Sequence, residues 1–440
     1  MENNTAIVCK IGQFEDIEGK DNIVVAKVLL KGVPLTQVVT SKNTKESSLI
    51  VYFDSNLCIP QKIIDAIDNI DRSISPNNFV SMGKYLANGN RVRCVKLGGV
   101  ISNGLCIPIE KFQQFFNSPK EASDTLVDGY SFTAIKEKAI CEKWFSSTIK
   151  KQSNSIKEKK DNTKFNIVIP SQFNFHIDTA QLPRNIHNVH PDSVISISRK
   201  VHGTSAITSY SKTKEPLISW IDRLKKFFKV YAPKTTWSYL YASRSVIKNA
   251  NVYLNKEFNN FDDLWVKVGT ESFNGKLHKG ETVYYEIVGY NPGTGAFIQK
   301  NYDYGCAKGE YKIAVYRITS TNENGVVFEY SVAAMRERCK EINVPMVEEF
   351  YYGKASDLFK DIIIDDNWGH NFLKALKISY LEKDCLDNKC KKMPDEGIVI
   401  RVEGLKIESY KYKSDKFTLK ESEAKESSDN IDTEDQESNA

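Results

Sequence analysis

A lysine placed just before a glycine turn is the first residue in this chain with clear chemical potential. Lys200-Val201-His202-Gly203-Thr204-Ser205 follows the stretch Val194-Ile195-Ser196-Ile197-Ser198, where apolar and small polar residues alternate as they do in a strand. The strand ends at Lys200, and Gly203 supplies a tight turn that lets backbone approach a phosphate. Such a lysine offers an amine nucleophile. At a pKa of about 10.4, roughly one amine in 2,500 is neutral at pH 7, so a working site must depress that pKa, and neighbouring cations do so. Two further lysines stand in Tyr410-Lys411-Tyr412-Lys413. Residues two apart in a strand share a face, so both amines point together while the tyrosines point the other way. Glu396, which opens the apolar run Gly397-Ile398-Val399-Ile400-Arg401, is the kind of group that holds magnesium through water. Any one of these charges alone reads better as a solvated surface residue.

Taken together, the elements carry a resemblance. Lys200-Val201-His202-Gly203 matches the K-x-(D/H/N)-G element of covalent nucleotidyltransferases. Ser243-Arg244 resembles their short ribose-contacting element, and Tyr284-Tyr285-Glu286-Ile287-Val288-Gly289 resembles the strand whose glutamate binds a ribose hydroxyl. Glu396 to Arg401 fits E-G-x-V-I-(K/R), and Lys411-Tyr412-Lys413 fits the closing K-x-K. These five elements fall in order between about residues 166 and 420. The chain resembles the ATP-dependent RNA ligases in which K-x-H-G or K-x-D-G is followed by Thr-Ser or Thr-Asn.

That resemblance implies a reaction and a set of roles. Lys200 would take AMP from ATP, the AMP would pass to a 5′-phosphate end, and a 3′-hydroxyl would then displace it. Glu396 would bind Mg2+ or Mn2+, and Lys411 and Lys413 would hold the α-phosphate and disfavour the charged form of Lys200. His202, Gly203, Thr204, Arg244 and Glu286 would surround the nucleotide. On the strand Tyr311 to Tyr316, register puts Ile313 in the position that stacks on the base, with Tyr316 as a nearby candidate; both also read as core side chains. Many relatives carry Glu immediately before the nucleophile, where this chain has Arg199, facing either substrate phosphate or solvent. RNA ends, with a nicked duplex foremost, are the implied partner and RNA repair the implied role.

The elements that must position these residues suggest a mixed α+β chain. Short strands at Ile23–Leu30, Ser48–Phe53, Arg91–Leu97 and around Leu105–Pro108, punctuated by Gly and Asn, suggest a small β-barrel. Together with Ile101-Ser102-Asn103-Gly104-Leu105, they resemble the N-terminal OB-like domain of RNA ligases of the Deinococcus and Naegleria type. The expected order is an OB-like barrel over 1–115, a helical segment and basic linker over 116–165, an adenylyltransferase domain of antiparallel sheets with flanking helices over 166–420, and an acidic disordered tail over 421–440. Arg91, Arg93 and Lys96 form either a nucleic-acid contact strip or a solvated strand face. Helix-like spacing marks Lys111–Phe116, Ala134–Phe145 and Ser331–Ile342. The basic runs Lys150–Lys164 and Arg223–Lys229 read as a linker and as an amphipathic segment.

Composition agrees with these expectations. The formal charge is +5 over 440 residues. Residues 421–440 carry eight acids against Lys425 alone, so the remainder is near +12, which suits a phosphate-rich substrate. Nine cysteines without a C-x-x-C pair argue against a disulfide framework or zinc knuckle and point to an intracellular, cytoplasmic or nuclear, reducing compartment. His187-x-x-His190 lies between prolines without partner ligands and reads as a loop. With no run of eighteen apolar residues, neither a membrane span nor a signal peptide is expected, and a monomer is the default. Only 27 residues follow Lys413, too few for the OB domain that DNA ligases and capping enzymes place there. Another covalent nucleotidyltransferase (a DNA ligase or capping guanylyltransferase) and a non-catalytic nucleic-acid-binding protein remain the alternatives.

Overall fold

The computed structural model describes residues 4–76, 79–145, 164–215, 234–253 and 263–426. The run Arg223–Lys229, nearly all of Lys150–Lys164, and the acidic segment from residue 427 lie outside the described residues.

The N-terminal unit is built on a six-stranded sheet. Its strands are β1 (Ala6–Asp16), β2 (Ile23–Leu30), β3 (Val33–Ser41), β4 (Leu49–Phe53), β5 (Leu105–Pro108) and β6 (Ser131–Phe132), ordered β3-β2-β1-β4-β5 with β6 also on β1. Alternation along β1 loads both faces. Ile7, Cys9 and Ile11 enter one core with Ala26, Val28 and Ile50, while Ala6 and Val8 enter another with Val51, Phe53 and Phe112. Helix α1 (Gln61–Ile74) adds Ile63, Ile64 and Ile67 to the second core. The ladder is not closed by hydrogen bonds among the described residues, which departs from the expected barrel. β3 turns instead to the hairpin Cys94–Leu97/Val100–Asn103, through Gln37 Nε2 to the Ile101 carbonyl (3.0 Å) and Val39 N–H to Ser102 Oγ (2.9 Å).

The expected boundary at residue 115 is too early. β6 pairs with β1, and Glu142–Lys143 pairs with Leu57–Cys58. Ala134–Phe145, expected to be helical, contains short strands at Ala134–Ile135, Lys138–Ala139 and Glu142–Lys143. Long-range pairing with β1 and Leu57–Cys58 overrides the local spacing of its apolar residues.

The C-terminal unit holds two five-stranded sheets. One consists of β7 (Ala180–Gln181), β8 (Val194–Lys200), β14 (Glu349–Lys354), β15 (Gly397–Val402) and β16 (Glu408–Lys413), ordered β7-β16-β15-β8-β14 and antiparallel except for β7 on β16. The other consists of β9 (Thr204–Lys214), β10 (Thr235–Ser243), β11 (Glu281–Gly289), β12 (Tyr311–Thr321) and β13 (Val327–Glu329), ordered β10-β9-β11-β12-β13 and antiparallel throughout. Helices α2 (Leu264–Phe273) and α3 (Val332–Glu341) contribute to the core of the second sheet, and α4 (Trp368–Tyr380) to that of the first. Ser331 caps α3, accepting from Ala334 N–H at 3.2 Å, as its type allows.

A last helix, α5 (Asp415–Glu426), leaves β16 and packs on the N-terminal hairpin. The first six residues of the expected disordered tail are therefore helical, and Ser422 is buried. Arg91, expected on a solvated or RNA-facing strip, is 1% exposed and donates to the Ser422 carbonyl (3.2 Å) and Oγ (3.4 Å). Arg93 pairs with Glu426 at 3.2 Å. Both arginines are thus occupied by α5, while Lys96 is exposed.

Candidate active site

Strand alternation places the key side chains. On β8, Ile195 and Ile197 go into the core, while Ser196, Ser198 and Lys200 face a cavity of about 270 Å³ between the two sheets. β15 pairs Lys200 with Gly397, Ser198 with Val399 and Ser196 with Arg401, so Val399 and Arg401 share that face. β16 pairs Lys411 with Val399 and Lys413 with Gly397. Lys411 and Lys413 therefore face the cavity, and Tyr410 and Tyr412 pack with the core. Gly397 is needed at this crossing: its φ is +140°, and a Cβ there would sit 2.2 Å from the Tyr412 carbonyl oxygen. Gly203 lines the cavity and also permits a close approach between strands, since a Cβ there would fall 2.4 Å from the Ile287 carbonyl oxygen of β11.

The ionic groups form a connected row. Lys200 Nζ lies 2.7 Å and Lys413 Nζ 3.2 Å from Glu396 Oε1. Lys413 also reaches Glu421 Oε2 at 3.2 Å, and Glu421 Oε1 accepts from Lys425 at 3.3 Å. Burial tends to raise the pKa of Glu396, but Lys200, Lys413 and His202 outweigh it and hold the carboxyl below the usual range. Glu421 is likewise held well below its ordinary value, because Lys413 and Lys425 overcome its burial. For Lys411 the balance goes the other way: burial, then Lys413, Lys200 and Arg244, outweigh Glu396 and push its ammonium down to about 7.

Other residues singled out from sequence divide between the cavity and its surroundings. His202, Arg244, Glu286 and Tyr316 line the cavity. The His202 ring is held by Tyr302 and Phe417, both edge-on at about 5 Å, and its backbone N–H donates to Tyr304 Oη at 2.8 Å. Arg244 forms an ion pair with Asp178. Thr204 is 2% exposed and off the cavity; Ser205, next along β9, takes the lining position and bonds Tyr316 Oη at 3.1 Å. Ile313 is also off the cavity, buried with Tyr285, Ile287 and Val315. Along β12 Ile313 and Val315 take the core face, so alternation carries Tyr316 to the cavity, and the bulge after Val315 lets Arg317 line it as well. Arg199 is among the cavity-lining residues, but its guanidinium is not free toward solvent. It is buried, bonded to Asp395 (3.0 Å) and to Asp387, with Glu348 at 3.6 Å.

Several lining residues were not reached by the sequence reading. His176 stands edge-on to Tyr316 at 5.2 Å, and burial followed by Arg317, Arg244, Lys200 and Lys411 lowers its pKa to about 3, so it is neutral. Met335, Met346 and Val347 give part of the cavity an apolar wall. The N-terminal unit contributes Asn56, Lys143 and Trp144. Glu421 and Lys425 come from α5. Only the sign of their charge was visible in the sequence, and it read as tail.

This arrangement suits a ligand with a flat ring and a polyanionic end. Met346, Val347 and Val399 offer apolar surface for a ring, and the lysines offer charge for phosphates. Among the described residues no cluster of three or more His, Cys, Asp or Glu forms a ready metal cage. A hydrated divalent ion held by one carboxylate and by ligand phosphates needs no such cage, and Glu396 is a suitable donor for it.

No family model matches the chain, and no curated protein matches it in sequence. Solved structures do match in fold. A Naegleria gruberi RNA ligase mutant with AMP and Mn is 16% identical at a TM-score of 0.53, covering 94% of this chain and 98% of that one. The same organism's RNA ligase with PPi is 15% identical at a TM-score of 0.52, covering 95% and 99%. A mutant of it with ATP and Mn gives 15% and 0.52 over 94% and 98%. Over nearly its whole described length, this chain is built on the fold of an RNA ligase.

Proposed function

We propose that the protein is an ATP-dependent RNA ligase acting through a covalent lysyl-AMP at Lys200. The observation that carries this reading is the gathering of Lys200, Glu396, Lys411 and Lys413 on one cavity face, with Lys200 and Lys413 both on Glu396 Oε1 at 2.7 and 3.2 Å. The fold it shares with RNA ligases supports the same reading.

In the first step the neutral Lys200 amine attacks the α-phosphorus of ATP. A P–N bond forms, the P–O bond to pyrophosphate breaks, and the amine sheds its proton. Glu396 would hold a divalent ion, which supplies positive charge to the phosphates when bound. Lys411 and Lys413 hold the α-phosphate oxygens as negative charge accumulates. Met346, Val347 and Val399 would enclose the adenine, with Tyr316 at the sheet edge and Glu286 on the ribose. In the second step a 5′-phosphate oxygen takes AMP from Lys200, which regains its amine. In the third a 3′-hydroxyl attacks the activated phosphate, forming the phosphodiester and expelling AMP. A nick in duplex RNA, sealed in the course of repair by a monomer, is the substrate and setting we favour. Nine free thiols fit an intracellular reducing compartment, and we read the N-terminal sheet with its hairpin as an OB-like accessory domain.

Intact-mass measurement after incubation with ATP and magnesium tests the proposal. One AMP should be gained, mapped by peptide analysis to Lys200, and lost in Lys200→Ala. No adduct from ATP or GTP after stripping with pyrophosphate, or an adduct persisting in Lys200→Ala, refutes it.

A further inference from the structure

We propose that Glu421 on α5 is a positioning residue for Lys413, and that the N-terminal unit sets its place. This rests on the lysyl-AMP reading above. An ammonium has three N–H donors. Among the described residues, Lys413 gives one to Glu396 (3.2 Å) and one to Glu421 (3.2 Å), leaving the third for a phosphate oxygen. Two carboxylates on different elements fix the direction of that third donor, which a single partner would leave free to rotate about the Cε–Nζ bond.

The two partners do not have equal standing during the reaction. Glu396 is also the partner of Lys200 and the candidate holder of the divalent ion, so its hold on Lys413 weakens as the nucleotide binds. Glu421 has no second duty toward the nucleotide. It keeps Lys413 at the cavity when Glu396 turns to the metal.

Glu421 is itself held from the other side. Its second oxygen takes Lys425, which donates to Asn56 Oδ1 of the N-terminal unit at 3.1 Å. One turn of helix carries Ser422, gripped by Arg91 and by Cys94 N–H at 3.2 Å, and Glu426, gripped by Arg93. The start of α5 is fixed to the catalytic unit through Asp415, whose N–H donates to Glu382 at 2.7 Å and whose carboxylate takes Lys377 at 2.6 Å. α5 is therefore a strut anchored on both units, with Glu421 at the point nearest the chemistry.

The test is the single-turnover rate of AMP attachment against ATP concentration in the full chain. Glu421→Gln should lower the maximal rate by at least about ten-fold, the cost of a misplaced contact, while the half-saturating ATP concentration moves less than about three-fold, because an anion has left a phosphate site. Glu421→Asp should be intermediate. The double variant Glu421→Gln/Lys413→Ala should be no slower than Lys413→Ala alone, since Glu421 acts through Lys413. Arg93→Gln, at a partly exposed anchor, should show the same signature at smaller amplitude and guards against a folding defect at position 421. Multiplying losses in the double variant, or a wild-type rate in Glu421→Gln, overturns the proposal while leaving lysyl-AMP chemistry intact. A wild-type protein that takes up no AMP overturns both.

Discussion

Lys411 gives the active site a proton-linked stability that can be measured without any nucleotide. Its ammonium is pushed from the ordinary lysine range down to about 7 by burial and by Lys413, Lys200 and Arg244. Between that value and the unfolded pKa near 10.4, the unfolded chain binds a proton that the folded chain releases, so stability rises with pH. For a fully developed shift, moving from pH 7.0 to 8.5 gains about 1.6 kcal/mol. Lys411 is only part-buried by surface area, so solvent screening reduces this to about 1 kcal/mol. The perturbation is Lys411→Met, which keeps most of the length of the side chain and removes the charge. Urea unfolding of both proteins at the two pH values gives a difference of differences in which other titrating groups cancel. The parent should gain about 1 kcal/mol more than the variant across the interval. Parallel pH dependences, or a parent that loses stability relative to the variant, would refute the reasoning. The same shift predicts that pyrophosphate binding at pH 7.5 draws in a large part of one proton per molecule, because the polyanion restores the charge. Calorimetry in buffers of different ionisation enthalpy would detect that uptake.

Two further substitutions probe the supports of the site. Gly397→Ala should cost about 2–4 kcal/mol, from a left-handed backbone and a Cβ driven into the Tyr412 carbonyl; denaturant unfolding would measure it. AMP attachment should fall as well, because Glu396 and Lys413 flank that crossing, and an unchanged unfolding midpoint would count against the geometry. Arg91→Met should cost about 1–3 kcal/mol, since it leaves the buried Ser422 carbonyl without its donor while Glu426 keeps Arg93. Thermal melting reads this directly, and an unaltered transition would mean that α5 does not depend on that anchor.

Alternation made much of the site legible in the sequence. Ile195 and Ile197 against Lys200, and Tyr410 and Tyr412 against Lys411 and Lys413, follow from a period of two that every residue on those strands obeys. Ile23–Leu30 and the Ser331-capped helix were legible because local signals and tertiary packing agree there. Ile313 shows the limit. Regular alternation puts Ile313 and Val315 on the core side and Tyr316 on the cavity side, and no local pattern announces which face of that strand meets the cavity. Thr204 and Ser205 differ by the same one-residue parity, just past a turn whose geometry the sequence does not specify. Arg199 found three carboxylates from segments far along the chain. Glu421 was invisible for the same reason: its helix lacks a strong apolar stripe, and its anchors Arg91 and Asn56 lie more than 300 positions earlier.

That separation shapes how the molecule must come together. The Arg91–Ser422 contact joins residues 331 positions apart, and synthesis from the N-terminus delivers α5 after every other described element. Until it arrives, Arg91, Arg93 and the Cys94 N–H lack their partners on α5, and Lys413 lacks Glu421. The nascent chain therefore has its first sheet long before it has a finished phosphate site. Long-range closure of this kind is slow, so gain of nucleotide binding during refolding should lag behind the burial of the N-terminal core.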